Sequence, residues 1–304
     1  MNKYTVLFNR ECEVILKKIV TGLYDKLEAF KYIPLAEPEG KGIQTITWRT
    51  YNNVGIAAFI SSYANANIPT VESYASEQSI PVKKIASSFQ FTLTELEVLD
   101  RVGESTTKRN EKASLVRTAI NTLVDEIAWE GSKKENLRGL VNYPGITEVT
   151  LADGAKGSKL WKDKTPLEIA ADIISIQDKI LLTTRNKEVP NTVLLPPSLY
   201  NYLTRQFVDP NMTMSILKHL QEVCPNITTW GSVQYLEDVG AGGKGRIMMY
   251  NKSPDKLAFH LPVPYNDVPE FRKDALTFQT VITADVAGLI VTHPLSIGFA
   301  DGAI

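Results

Sequence analysis

Cysteine and histidine are scarce, with two of the former and three of the latter in 304 residues. Cys12 and Cys224 can form one disulfide at most, so no disulfide framework holds this chain, and a reducing compartment suits it. His219, His260 and His293 have no second ligand at a recognised spacing, so the pattern predicts no metal site. Long apolar runs are missing too. The longest, 54–60 and 286–291, are strand-sized, against the roughly 18 to 20 residues that cross a bilayer. Neither charge sign dominates: 33 basic against 34 acidic side chains leave a net charge of −1. That balance argues against a dedicated nucleic-acid reader and leaves room for weak or local contact with a polyanion. The N-terminal stretch lacks the order of a secretion signal, and no solenoid repeat occurs. A soluble protein, intracellular when made, is expected.

Catalytic signatures are equally thin. There is no G-x-S-x-G elbow and no C-x-x-C, and no carboxylate pair has a spacing that suggests acid–base work. Residues 240–245, Gly-Ala-Gly-Gly-Lys-Gly, formally match G-x-G-x-x-G, but a dinucleotide site needs a helix next. The following Arg246-Ile247-Met248-Met249-Tyr250 reads as a strand, so this segment is expected to be a flexible β-connection. Both cysteines read as small buried hydrophobes. No catalytic residue, cofactor or metal is predicted, and the chain does not read as an enzyme.

What is present is a folded α+β chain. The 43% hydrophobic and 22% charged content suits one large domain or two smaller ones. Residues 7–27 predict an amphipathic helix with Cys12, Ile15, Leu16, Ile19 and Leu23 on its apolar stripe. Residues 43–51 alternate as a half-buried strand. Between 61 and 80 only Glu72 and Glu77 are charged, and such a weakly hydrophobic excursion has little core of its own. A β-rich run carries Ile85, Phe89 and Phe91 and ends at 92–96. Residues 107–130 predict one long helix that buries Ala113, Val116, Ile120, Leu123 and Ile127, with Gly131 as its left-handed stop. Thr165-Pro166-Leu167-Glu168 is a capping box, opening a helix through Ile169, Ile173, Ile176 and Ile180. Further strands are expected at 192–195 and 227–236, and helices after Pro197 and at 214–223. A hairpin is expected from 246–251 and 256–261, and closing strands at 276–283, 288–292 and 297–299.

The long helix ending in Trp129-Glu130-Gly131 and the cluster Leu137-Arg138-Gly139-Leu140-Val141-Asn142-Tyr143-Pro144-Gly145 resemble the spine-helix exit of tailed-phage major capsid proteins. Those proteins have the HK-97-like fold, which encapsulins share. The run into Phe91-Thr92-Leu93-Thr94-Glu95-Leu96 is similar to the lead-in to that spine, and the strands near 256–264 and 278–294 to the family's return strands. The resemblance implies an N-terminal arm at 1–32 and an extended loop at 33–83. It further implies a peripheral domain at 84–149 and 266–285 and an axial domain at 150–265 and 286–304.

On that resemblance, the protein is expected to be a virion structural protein. It would self-assemble through pentamers and hexamers into the icosahedral shell around a double-stranded DNA bacteriophage genome, with procapsid maturation. Ile15, Ile19, Leu23, Trp48, Ile56, Phe59, Val71 and Tyr74 are the expected subunit-interface residues, and Val116, Ile120, Leu123 and Ile127 the spine-helix core. The arm begins near residue 7 with no long charged helical region ahead of it, so a separate scaffolding protein is expected, together with a portal and weak non-specific contact with packaged DNA. No membrane partner is expected. Assembly would take place in the host cytoplasm. Lys83 and Lys84 match no crosslinking motif, so no isopeptide bond is expected. An encapsulin-like nanocompartment is the alternative within the same fold; an intracellular α/β enzyme or a virion tail or adaptor protein stand outside it.

Overall fold

The computed structural model describes residues 28–54, 72–208 and 214–303. The helix expected at 7–27 lies outside them. From its N-terminal side the chain forms α1 (Ala29–Tyr32), β1 (Thr45–Val54), β2 (Glu72–Pro81) and β3 (Lys83–Thr92). Next come α2 (Leu93–Val102), the 25-residue α3 (Ser105–Trp129), and the short strands β4 (Gly131–Ser132), β5 (Leu137–Arg138) and β6 (Thr147–Glu148). Then follow α4 (Pro166–Thr184), β7 (Thr192–Leu195), α5 (Pro197–Arg205), α6 (Ile216–Val223), β8 (Thr229–Ser232) and β9 (Arg246–Tyr250). The chain closes with β10 (Leu257–His260), β11 (Val263–Asp267), β12 (Phe271–Arg272), β13 (Thr277–Val286), β14 (Gly288–Val291) and β15 (Gly298–Asp301).

Two hydrophobic cores share one sheet, ordered β6-β15-β9-β7-β8. Its strands alternate between the cores as period-2 geometry demands. Val193, Leu195, Ile247, Met249 and Ala300 face the core built by α4, α5 and α6. Leu194, Met248 and Tyr250 face the core that holds Trp129 of α3. A strand covered on both sides reads as an unbroken apolar run, which is why 247–250 carries no polar residue. The hairpin expected with β10 does not form. β9 already has β15 on one edge and β7 on the other, so β10 pairs with β14.

α3 spans about 37 Å at 1.5 Å per residue. Its buried side chains, Val116, Ile120, Val124, Asp125, Ile127, Ala128 and Trp129, all lie from Val116 onward. Leu123, expected among them, is 41% exposed. At 100° per residue the stripe drifts towards Val124 and Ala128 and leaves Leu123 on its margin. The helix stops where Gly131 turns to φ 71° and the chain runs back alongside it. Leu140 and Val141 donate their amides to the Ala128 and Trp129 carbonyls, both at 2.9 Å, which satisfies acceptors the helix end leaves open. A Cβ on Gly139 would stand 2.5 Å from the Trp129 carbonyl oxygen, so this return demands glycine.

Thr92 ends β3 and caps α2 in one residue. Its hydroxyl accepts the Glu95 amide at 3.2 Å, and the Glu95 carboxylate accepts the Thr92 amide at 3.0 Å. The sequence Thr92-x-x-Glu95 is a capping box inside what reads as the tail of a β run, and α2 starts there. β3 pairs along its whole length with β13, from Lys83↔Val286 to Thr92↔Thr277, and β13 carries β11 and β12 on its other edge.

Candidate assembly surface

Among the described residues β1 and β2 pair only with each other, over ten residues from Thr45↔Pro81 to Val54↔Glu72. At the base of this ribbon Ile80 is buried, and Ile46 and Trp48 pack partly on the main core. Further out Thr47, Arg49 and residues 75–79 are exposed, and Arg49 faces Glu77 across the strands at 2.9 Å. An isolated two-stranded ribbon is marginal in water, so this one wants cover beyond what the described residues give it. Where it meets the body, a pocket of about 350 Å³ opens between β3, α3 and β4. Exposed Leu123 lines it with Ile85 and Ile127, under the Lys83–Glu135 and Lys84–Asp285 ion pairs at 3.0 and 3.4 Å.

The second unpartnered region is α2, which buries none of its ten residues. Val98 and Val102 are 58% and 64% exposed, and Leu99 and Val98 line an apolar groove of about 440 Å³ against α3, floored by the Phe91 ring. Lys112 sits 3.8 Å above that ring and donates to the Gln90 carbonyl at 3.0 Å. The Thr92 amide, with Lys112 nearby, holds the Glu95 carboxyl below the usual range. Composition gives no hint of this groove; the overlooked Thr92–Glu95 capping box is the signal that could have found it.

The point where residues 1–27 join the body is anchored from α3. Asp125 is 3% exposed and accepts the Ala29 amide at 2.8 Å. It also takes hydrogen bonds from the Glu28 amide and from Tyr235. Thus Asp125 caps α1, whose own N-cap residue supplies no side-chain bond. Burial pushes its carboxyl above the usual range despite those donors. A second buried carboxylate, Asp172, meets Lys164 at 2.6 Å and the Trp161 indole at 2.9 Å, and burial raises it as well.

The expected interface residues divide by position. Ile15, Ile19, Leu23, Ile56, Phe59 and Val71 lie outside the described residues. Trp48 is half-buried on β1, and Tyr74 stands opposite Asn52 in the same ribbon. Of the expected spine-helix core, Val116, Ile120 and Ile127 are buried and Leu123 is not. Among the described residues no three His, Cys, Asp or Glu side chains gather as metal ligands, and no helix is long and apolar enough to cross a membrane.

The family model for "Major capsid protein" matches residues 55–303, more than four-fifths of the chain. The chain belongs to the major capsid protein family. Solved structures agree on the fold. The capsid of Myoviridae phage XM1 superposes with a TM-score of 0.80 at 19% identity, over 99% of this chain and 100% of that one. A protein of Mycobacterium phage Bobi gives 0.63 at 12% identity, over 95% and 94%. A virus-like particle from Pyrococcus furiosus gives 0.51 at 14%, over 89% and 91%. No curated protein matches. This capsid protein therefore has the HK-97-like fold and serves as a shell subunit of a virion, in a multi-subunit assembly.

Proposed function

We propose that the protein forms pentamers and hexamers that close into the icosahedral head around a double-stranded DNA phage genome. In this reading 1–32 is an arm and 33–83 the extended loop laid on a neighbour. Residues 84–149 with 266–285 form the peripheral domain around α3, and 150–265 with 286–304 the axial domain. The observation that carries it is the β1–β2 ribbon, which among the described residues pairs with no other strand and leaves Thr47, Arg49 and residues 75–79 exposed. Head-to-tail contacts bury such a ribbon on the next subunit, and they close into rings when the rotation allows. The near-neutral charge suits a shell that touches packaged DNA only weakly. A separate scaffolding protein and a portal complete the assembly, which takes place in the host cytoplasm.

Electron microscopy of the purified chain, with and without a co-expressed scaffold, tests this. Closed shells or free pentamers and hexamers are expected. A monodisperse monomer or dimer under every condition would sink the reading.

A further inference from the structure

The glycine-rich segment 240–245 is no flexible connection. Gly240 donates to the Lys244 carbonyl at 2.7 Å and Gly243 to the Gly240 carbonyl at 3.0 Å, and the Ala241 amide donates to Asp301 at 3.0 Å. Beside it lies a second loop of the same character, Asp153-Gly154-Ala155-Lys156-Gly157-Ser158-Lys159. That loop is also tied down: Gly154 donates to Ser158 at 2.9 Å, Gly157 to Gly154 at 2.8 Å, and Ala155 to the Glu168 carboxylate at 2.8 Å. The two loops are more than eighty residues apart in sequence and share one pocket of about 480 Å³, lined by Asp153, Gly157, Lys159, Lys244 and Asp301 among others.

The pocket lining brings Lys159 and Lys244 together with Asp153 and Asp301, and Lys156 stands on the same loop beside it. Asp301 is already neutralised, because Arg246 grips both its oxygens at 2.7 Å, stacks on Phe299 at 4.1 Å and donates to the Val141 carbonyl at 2.8 Å. Lys156, Lys159 and Lys244 are exposed, and no carboxylate stands within ion-pair distance of them among the described residues. With Asp301 paired to Arg246, Asp153 is the carboxylate left to oppose them in the pocket lining, and Glu168 stands behind the 153–159 loop, where it takes the Ala155 amide. Gly157, Gly242 and Gly243 hold positive φ, and nothing lies within 4 Å of where their Cβ atoms would be. Bare backbone of this kind lets a phosphate come close, and ammonium groups bind phosphate as point charges.

We propose that these two loops form a phosphate-binding platform that contacts the backbone of packaged duplex DNA. The inference rests on the capsid reading for its ligand and on the loops alone for its chemistry. Contacts through lysine and main chain carry no base readout and are weakened by salt, which suits a genome that must later leave. The overall charge of −1 confines the attraction to local patches of this sort.

The test compares the full chain with the triple variant Lys156→Gln, Lys159→Gln, Lys244→Gln. A control, Lys133→Gln, Lys134→Gln, Lys187→Gln, changes three exposed lysines elsewhere and shifts the net charge equally. Binding to a duplex of about 30 base pairs is followed by fluorescence anisotropy across a salt series. Each lysine lost from a phosphate contact reduces the slope of log K against log salt by about 1. The loop variant should therefore lose about 2 to 3 in slope, and the control should lose little.

Equal losses in both variants, or none in either, would overturn the proposal. So would an intact DNA slope together with failure to form shells, which would assign the loops to a neighbouring subunit. Inorganic phosphate at matched ionic strength should compete no better than chloride; strong competition would mark a free-phosphate site instead. If the unaltered chain stays a monomer or dimer under every condition and the loop variant still loses slope selectively, the phosphate platform stands and the pentamer–hexamer reading falls.

Discussion

Gly139 shows how much can rest on one absent carbon. Its backbone lies against Gly131 and the Trp129 carbonyl, and these contacts let the chain return along the end of α3. Gly139→Ala must push two backbone segments apart, and should cost more than about 3 kcal/mol. Urea unfolding of the subunit checks this; a loss under about 1 kcal/mol would mean that the return can shift without penalty. Asp125 is the second telling residue. Burial raises its pKa from the ordinary 3.8 in the folded chain, so the fold holds that proton more tightly than the unfolded chain does. Its contribution to stability is thus greatest at low pH and declines as pH rises from 3.8 through the folded value. Asp125→Asn does not titrate, so its stability relative to the unaltered protein should improve from about pH 4 to about pH 7. Urea midpoints at the two ends would decide it, and a constant difference would contradict the assignment.

At the scale of elements, α2 depends on its cap more than any other helix described, because it buries none of its residues. Thr92→Ala removes the hydroxyl that accepts the Glu95 amide, leaves the backbone amide that donates to the Glu95 carboxylate, and should cost about 1 kcal/mol, felt locally. Hydrogen exchange should speed up across residues 93–102 and stay unchanged in α4, whose box at Thr165 and Glu168 is intact. Uniform acceleration through the molecule would show instead that α2 unfolds only with the whole. A helix held by its cap and not by its packing leaves Val98 and Val102 free to meet another subunit.

At the scale of the whole molecule, the ribbon and the body are separable. β1 and β2 exchange their hydrogen bonds with each other, and among the described residues the ribbon base, through Ile46, Trp48 and Ile80, joins the main core. Replacing residues 52–74 by Asn-Gly closes a two-residue turn between the paired Tyr51 and Ala75. The shortened subunit should keep its circular dichroism, with Tm within about 4 °C of the parent, the shift made by about 1 kcal/mol. It should form no shells by sedimentation or microscopy. Shells of normal size from this variant would remove residues 52–74, the outer end of the ribbon with its loop, from the assembly mechanism.

Local chemistry was legible in the residues themselves. Thr165, Pro166 and Glu168 announce the start of α4, and the spacing of Val116, Ile120 and Ile127 announces the long helix, because caps and helical periodicity are settled within a few residues of chain. The cluster from Leu137 to Gly145 pointed to the family for the same reason: it is a contiguous backbone device. Other features depended on residues far apart. No spacing tells that β9 is flanked on both edges, so that β10 must find β14, or that the stripe on α3 drifts past Leu123. Nor does any local pattern bring residues 153–159 beside 240–245. Strand edges and helix faces are satisfied by whichever partner the whole chain delivers, and that delivery belongs to the tertiary structure.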